Sequence, residues 1–194
     1  NQHELPLISD TDVEIISDAL KQKKIGLVCG GGIATIEMPR VARELRRYGA
    51  EVFFFVTKKS LEFVGKKSLE WASQNPVTEE PTGLAEHICT LDALLIAPAT
   101  ADLISKSAQG ICSDGATTLI QSAFGLQLPV VFSPTMHDSL INSPIISENI
   151  EKLKKIKNVH FIPSRVEEGK QKILSPDALV LTFSHLINKD SKKK

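Results

Sequence analysis

Five short apolar runs along the chain alternate with longer stretches in which apolar residues recur at helical spacing. The runs lie at 25–29, 52–56, 93–97, 129–133 and 159–162. They mix β-branched, aliphatic and aromatic residues without strict polar alternation, as in strands buried on both faces of a parallel sheet. Helices are predicted between and after them at 36–48, 61–73, 84–91, 101–108, 116–124, 143–156 and 177–187. This alternation predicts one α/β domain, a doubly wound, Rossmann-like parallel sheet in three α/β/α layers.

The two ends of the chain are predicted to lie outside this sheet. Val13, Ile16 and Leu20 are spaced as on one face of a helix, after acidic residues and before lysines. That order is typical of a capped helix over 10–23. The last residues are mostly lysines and predict a solvated tail. The expected division is an N-terminal helical extension, a main domain and a basic tail, at 1–23, 24–188 and 189–194.

Composition narrows the classes of partner. The 194 residues are 42% apolar, enough for one core, and 23 basic residues balance 23 acidic ones. A neutral chain has no overall field that would attract nucleic acid or an anionic membrane, and no apolar run reaches the ~20 residues of a membrane span. Three cysteines without a Cys-x-x-Cys pair indicate neither a disulfide framework nor a metal site. We therefore expect a cytoplasmic protein without metal, nucleic-acid or membrane partners.

Candidate chemistry lies in the loops that follow the strands, because open α/β sheets bind ligands beyond the carboxyl ends of their strands. The first such loop contains three consecutive glycines at 30–32. Bare backbone can approach a phosphate closely, and the start of the following helix attracts an anion. Thr35 stands where a dinucleotide-binding Gly-x-Gly-x-x-Gly pattern has its third glycine. The loop therefore predicts either an anion site or only a tight turn.

The second and third loops carry polar and small residues. The second reads Thr-Lys-Lys at 57–59, where a dinucleotide fold has an acidic residue for the ribose, which argues against an NAD dehydrogenase. With Ser60, these residues predict the second wall of a phosphate site or an ordinary helix cap. The third loop reads Pro-Ala-Thr-Ala-Asp at 98–102 and leaves room for a flat ring, with Thr100 as a hydrogen-bond partner or as a cap.

These loops and two later segments together resemble a known family. The segments are Gly-Gly-Ile-Ala at 31–34, Val-Thr at 56–57, Ala-Pro-Ala-Thr-Ala-Asp at 97–102, Gly110 with Asp114, and Pro-Thr-Met at 134–136 ahead of Asn-Ser-Pro at 142–144. In this order, over about 24–187, they resemble the flavin-containing cysteine decarboxylases, which include phosphopantothenoylcysteine decarboxylase and the lantibiotic peptidyl-cysteine decarboxylases. The resemblance implies a Rossmann-like domain that binds FMN between the subunits of a homotrimer, assembled in some members into a dodecamer.

The resemblance also implies roles for individual residues. The phosphate of FMN would be held by the first and second loops, and its isoalloxazine by the third loop and by Met136, which follows the fourth predicted strand. In an active family member, oxidised FMN takes a hydride equivalent from the cysteine side chain of a small-molecule substrate, and loss of CO2 leaves an enethiolate. The implied cofactor-binding residues are Gly31, Gly32, Ile33, Thr57, Ser60, Pro98, Ala99, Thr100 and Met136.

Three positions depart from the family pattern. Leu84 replaces the catalytic His of the family, and His87 lies about one helical turn later. His137 replaces the Asn that contacts the substrate carboxylate, and a protonated His can pair with that carboxylate. The charged flap at 164–170 lacks the cysteine of the family, and the three cysteines of the chain are expected to be buried and inert. His87 and His137 are therefore the catalytic candidates.

Two functions stay open at this point. The first is an FMN-dependent decarboxylase that acts on a small cysteine-derived or other carboxylate. The second is a regulatory or assembly subunit that binds FMN without decarboxylating a substrate, since the cofactor loops are kept while the catalytic positions differ. A different flavin reaction is a third class, for which the sequence offers no substrate-specific residue.

Overall fold

The computed structural model describes residues 9–80, 90–168 and 170–192. Within these ranges the centre of the fold is a five-stranded sheet with strand order β2-β1-β3-β4-β5, in which all neighbouring strands are parallel. The strands are β1 Lys24–Cys29, β2 Glu51–Val56, β3 Ala93–Ala99, β4 Val130–Pro134 and β5 Val159–Phe161. All five predicted strands are confirmed, with small shifts at their ends.

Seven helices connect and cover the strands within the described residues. They are α1 Met38–Arg47, α2 Lys66–Ser73, α3 Ala101–Gln109, α4 Gly115–Gly125, α5 Asp138–Ile141, α6 Pro144–Lys154 and α7 Pro176–Ser191. The 3₁₀ turns Ile33–Glu37 and Lys58–Glu62 precede α1 and α2. The predicted helix over 84–91 lies outside the described residues apart from its last two positions. In the part of the chain that the structure describes, no helix is both long and apolar enough to cross a bilayer.

The helices form a layer on each face of the sheet. Successive strand residues point to opposite faces, so Leu27 packs in one hydrophobic cluster and Val28 in the other. The first cluster contains buried residues of α1, α2 and α7, such as Leu45. The second contains buried residues of α3, α4 and α6, such as Leu153. The predicted three-layer α/β/α architecture is therefore confirmed.

The strand order creates a topological switch point between β1 and β3. The chain passes from β1 to β2 on one side, and β3 then lies on the other side of β1. Such sheets bind ligands in the crevice beyond the carboxyl ends of these strands. Here β3 continues through Pro98 to Ala99, two residues beyond its predicted end, and its pairing with β4 is irregular there. A ligand-binding site is therefore expected in this crevice.

The predicted N-terminal helix over 10–23 is wrong. The described part of this segment contains turns and irregular stretches without helix or strand, and it contacts the carboxyl end of α1. The Ile16 N–H donates to Arg47 O at 2.9 Å, and the Leu20 N–H donates to Tyr48 O at 2.9 Å. The last carbonyls of a helix lack partners within it, so these long-range bonds replace the local bonds of a helix. Leu20 is fully buried, whereas Ile16 is 58% exposed.

The C-terminal region also differs from its prediction. Asp190, expected in a solvated tail, is the penultimate residue of α7 and is buried. Its Oδ2 lies 2.7 Å from His160 Nε2 of β5, so the carboxylate has an internal partner. Residues 193–194 lie outside the described residues. Between β5 and α7 the structure adds an antiparallel hairpin that the hydrophobic pattern does not predict, with strands β6 Arg165–Glu167 and β7 Lys170–Lys172.

Candidate functional site

A large cavity opens at the carboxyl edge of the sheet. Its volume is about 1290 Å³, whereas small-molecule sites commonly measure ~300–1000 Å³. The loops after β1, β2, β3 and β4 and the hairpin β6–β7 all contribute to its lining. The cavity therefore has room for a cofactor together with a second ligand. The predicted site residues in its lining are Gly31, Gly32, Ile33, Thr57, Thr100, Met136 and His137.

The glycine loop after β1 is fixed by two hydrogen bonds. The Gly30 N–H donates to Pro98 O at 3.0 Å, and a Cβ on Gly30 would lie only 2.8 Å from that oxygen. The buried Thr35 hydroxyl donates to Gly30 O at 2.9 Å, from the position of the missing third glycine. Within the described residues, the N–H groups of Gly31 and Gly32 form no hydrogen bond. They are therefore available to an anion in the cavity.

Two lysines stand beside the glycine loop. Lys59 packs over Gly31, since a Cβ on that glycine would lie 2.6 Å from Lys59 Cβ and Cγ. Lys58 Nζ lies 3.1 Å from Glu80 Oε1, and this hydrogen bond and the charge of Glu80 raise the pKa of Lys58. Among the described residues, Lys59 has no such ion pair. Its charge is therefore free to complement a ligand.

The turn after β2 separates the roles of two predicted site residues. Thr57 Oγ1 accepts the Ser60 N–H at 3.3 Å, and Ser60 Oγ donates to Thr57 O at 2.6 Å. Ser60 is fully buried and does not line the cavity. Thr57 is therefore both the cap of this 3₁₀ turn and a residue that faces the cavity, whereas Ser60 supports the turn from its buried side.

The turn after β3 also divides the predicted residues. Pro98 and Ala99 are buried within β3 and do not line the cavity, although the Pro98 carbonyl supports the glycine loop. Thr100 lines the cavity, and its Oγ1 accepts an N–H of the first turn of α3. Lys106 Nζ, one turn into α3, lies 3.0 Å from Asp102 Oδ2, and both residues line the cavity. Thr100 is thus a helix cap and a cavity residue at once.

The loop after β4 carries Met136 and His137. It is tied to β3 because the Thr135 N–H donates to Ala99 O at 3.2 Å. Met136 is largely buried yet reaches the cavity, whereas His137 is exposed and precedes α5 without a side-chain capping bond. The His137 imidazole has no hydrogen bond to any described residue, so it is free to contact a ligand. The other catalytic candidate, His87, lies outside the described residues.

The described cysteines do not line the cavity. Cys29 is fully buried at the end of β1, and burial raises the pKa of its thiol, which disfavours the nucleophilic thiolate. Cys112 is exposed in the loop between α3 and α4, so the prediction that it is buried is wrong. Cys89 lies outside the described residues. Neither described cysteine can therefore replace the flap thiol of the family that the sequence resembles.

The cavity lining is more positive than the chain as a whole. The chain has no net charge, but the lining described by the structure contains six cationic side chains and only three acidic ones. The cations are Lys58, Lys59, Lys106, Arg165, Lys170 and Lys172, and the acids are Glu37, Asp102 and Asp114. This imbalance favours anionic ligands. In the described ranges, no group of three or more His, Cys, Asp or Glu residues could hold a metal ion.

A family model and curated proteins match most of this chain. A family model described as Flavoprotein matches residues 14–188. The coenzyme A biosynthesis bifunctional protein CoaBC of Thermococcus kodakarensis is 41% identical over 171 residues, which cover 84% of this chain and 42% of that protein. The chain therefore spans less than half the length of this curated relative.

Solved structures resemble the fold over most of the chain. A PPC decarboxylase mutant complexed with pantothenoylaminoethenethiol is 26% identical, with a TM-score of 0.69 over 84% of this chain and 97% of that one. The FMN binding protein AtHal3 is 22% identical, with a TM-score of 0.74 over 87% of this chain and 98% of that one. Nearly the whole fold of each solved chain thus has a counterpart here.

Proposed function

We propose that this chain, which belongs to the Flavoprotein family, binds FMN in the cavity at the carboxyl edge of its sheet. The observation that carries the proposal is the glycine loop, where the N–H groups of Gly31 and Gly32 have no partner among the described residues and the side chain of Lys59 packs beside them. Such donors suit a phosphate monoester. A Cβ on Gly32 would meet Thr100 Cγ2 at 3.7 Å, an ordinary contact distance, so this backbone is not crowded by the protein. The residues present therefore fit the phosphate of FMN.

The remaining lining suits the ring system of the same cofactor. Ile33, Ala101 and Met136 supply apolar and small surface, and Thr100 supplies a hydroxyl beside it. Sites for flat organic ligands combine apolar walls with a few polar groups in this way. Thr57 adds a hydroxyl next to the glycine loop on the phosphate side. Ser60, Pro98 and Ala99 act from behind the lining, by fixing the turns that carry these residues.

The proposed activity is decarboxylation of a small cysteine-derived or other carboxylate. When bound, FMN supplies an oxidant that accepts a hydride equivalent. His137 lines the cavity and has no partner among the described residues, and its protonated imidazole would hold a substrate carboxylate by a charge-assisted hydrogen bond. His87 is the second proposed acid or base. The name of the Thermococcus relative, which refers to coenzyme A biosynthesis, supports a small metabolite as the substrate.

A second proposed function is FMN binding without decarboxylation, in a regulatory or assembly subunit. The hairpin favours it, because Arg165, Lys170 and Lys172 line the cavity where the resembled decarboxylases would place a thiol. The replacement of the catalytic His by Leu84 points the same way. The two functions differ in turnover and share the cofactor.

We also propose a cytoplasmic homo-oligomer, either a trimer or a dodecamer. Ile33, Ile36 and Leu140 belong to the cavity lining but are 69%, 50% and 41% exposed. Large apolar side chains around an opening suggest that a second copy of the chain covers them. Light scattering after size-exclusion chromatography tests this assembly, since each chain has a mass of 21.2 kDa. Cysteines without a pairing pattern support a reducing compartment.

FMN binding is tested by the visible spectrum of the purified protein and by quenching of FMN fluorescence, with two glycine variants as a matched pair. Gly32→Ala adds a methyl group to the cavity lining and is expected to weaken FMN binding by about tenfold or more, a loss of about 1.4 kcal/mol. Gly125→Ala adds the same group in open space at the end of α4 and should leave the affinity unchanged. Wild-type protein that fails to bind micromolar FMN would contradict the proposed function.

Turnover then separates the two proposed functions. FMN-loaded protein is incubated with cysteine-containing carboxylates, and CO2 release is measured. Release that disappears in His137→Ala supports the decarboxylase. A protein that binds FMN tightly but releases no CO2 from any such compound supports the non-decarboxylating subunit.

A further inference from the structure

The hairpin β6–β7 carries a charged face. In its antiparallel register Arg165 lies opposite Lys172, and Glu167 lies opposite Lys170. Residues two apart on a strand share a face, so these four side chains lie together and Val166 points the other way. Three of the four are cationic, and the same three line the cavity. This face therefore contributes half of the cationic side chains in the described lining.

Glu167 already contacts two of these three cations. Its Oε2 lies 2.9 Å from Arg165 Nη1 and 3.3 Å from Lys172 Nζ. The neighbouring Glu168 is more exposed, and its Oε2 lies 3.9 Å from Lys172 Nζ. Among the described residues, the Lys170 ammonium has no ion pair. The face thus consists of one free cation and two cations that share one carboxylate.

We propose that this face is a second anion site of the cavity, in which Lys170 is the free cation and Glu167 is an internal competitor of the ligand. An incoming anion binds Lys170 and takes the place of the Glu167 carboxylate on Arg165 and Lys172. The ligand is a small molecule with a carboxylate or a phosphate monoester. The inference rests on the proposed function in one respect, because the phosphate of FMN is assigned to the glycine loop and leaves the hairpin for another anion.

The sheet topology supports two separate anion sites. The glycine loop follows β1, whereas the hairpin follows β5, three positions further along the sheet. Neighbouring strands are ~4.8 Å apart, so these strands lie about 14 Å from each other. One phosphate is too small to contact the ends of both strands. The cavity, at about 1290 Å³, has room for both anions.

Two substitutions of neighbouring glutamates distinguish competition from a general effect of charge. Glu167→Gln removes the carboxylate that Arg165 and Lys172 share and leaves Lys172 only its longer contact with Glu168. Because exposed ion pairs are weak, this substitution is expected to tighten anion binding about two- to fivefold. Glu168→Gln removes one negative charge from the adjacent residue, whose carboxylate makes only the longer contact with Lys172. It should therefore tighten anion binding clearly less than Glu167→Gln does. Lys170→Ala is expected to weaken binding about fivefold, and Lys170→Arg should restore it.

The measurement is calorimetric titration of FMN-saturated protein at constant ionic strength. The probes are inorganic phosphate, glycerate and 3-phosphoglycerate, so that a phosphate, a carboxylate and both together are compared. Binding that persists with FMN present, tightens in Glu167→Gln and weakens in Lys170→Ala supports the second site. The stronger single-anion probe identifies which group the site prefers.

Three results would overturn the second site. They are equal tightening in Glu167→Gln and Glu168→Gln, unchanged binding in Lys170→Ala, and absence of binding of every probe to both the wild type and Glu167→Gln. Titration of the wild type with FMN, measured by fluorescence, tests the proposed function separately. If FMN does not bind, the same variants are titrated with inorganic phosphate in the flavin-free protein, and the three criteria apply unchanged.

Discussion

Substitution of Thr35 tests the glycine loop most directly. The Thr35 hydroxyl is fully buried and donates to Gly30 O at 2.9 Å, so Thr35→Val keeps the shape of the side chain and removes the donor. A buried acceptor left without its donor costs about 1–3 kcal/mol. In a chain of this size each kcal/mol corresponds to about 2–4 °C in Tm. The variant is therefore expected to melt about 2–12 °C below the wild type.

The same substitution is expected to weaken FMN binding. Thr35 holds the start of the loop that carries the N–H groups of Gly31 and Gly32. Without that hydrogen bond the loop is less ordered, and the binding of FMN has to order it. If about 1 kcal/mol of this cost falls on binding, the affinity drops about fivefold. Thermal melting by circular dichroism and a fluorescence titration with FMN measure the two effects.

Thr182→Val provides the matched control for this substitution. The Thr182 hydroxyl donates to Ala178 O at 2.8 Å within α7, and neither residue lines the cavity. This variant loses the same kind of bond and should bind FMN as the wild type does. The reasoning about the loop is refuted if Thr35→Val also retains wild-type affinity for FMN, whatever its Tm.

Three further predictions concern the core, the end of α7 and the thiols. Leu95→Ala, at a fully buried position of β3, is expected to lower the free energy of unfolding in urea by about 2–5 kcal/mol. Asp190→Ala leaves His160 without its partner and is expected to cost about 1–3 kcal/mol in the same assay. Because burial raises the pKa of Cys29, iodoacetamide at mildly alkaline pH should label Cys112 in the folded protein and Cys29 only after unfolding. Peptide mass spectrometry checks the thiols, and modified Cys29 in folded protein would contradict its burial.

The strands could be predicted because burial on both faces of a parallel sheet leaves a continuous apolar run, as in Leu94, Leu95 and Ile96, all fully buried. The N-terminal segment could not be predicted from the same kind of pattern. Its spacing of apolar residues matches a helix, but the contacts that decide its path are long-range bonds to the carbonyls of Arg47 and Tyr48. Local periodicity carries no information about such bonds.

The candidate site could be predicted to the level of loops and no further. Position in a loop shows which edge of the sheet a residue reaches, and Thr57 and Thr100 indeed line the cavity. The position of a residue in a loop does not show to which side of the turn its side chain points. Ser60 and Pro98, for example, are buried behind the cavity lining. The hairpin face depends on register, which pairs Arg165 with Lys172 only once both strands have formed.

Backbone and side chains contribute differently to this site, and the difference explains how cofactor binding and chemistry can change independently. The groups assigned to the phosphate of FMN are backbone N–H groups, and the loop that carries them is held by the Pro98 carbonyl and the Thr35 hydroxyl. A substitution of His137 changes a side chain that takes no part in those bonds and leaves them intact. The glycine loop therefore predicts that FMN binds, but it does not predict turnover. In the proposed arrangement His137 and the hairpin cations select the anion that fills the rest of the cavity, so the search for a substrate has to vary the anionic group rather than the flavin.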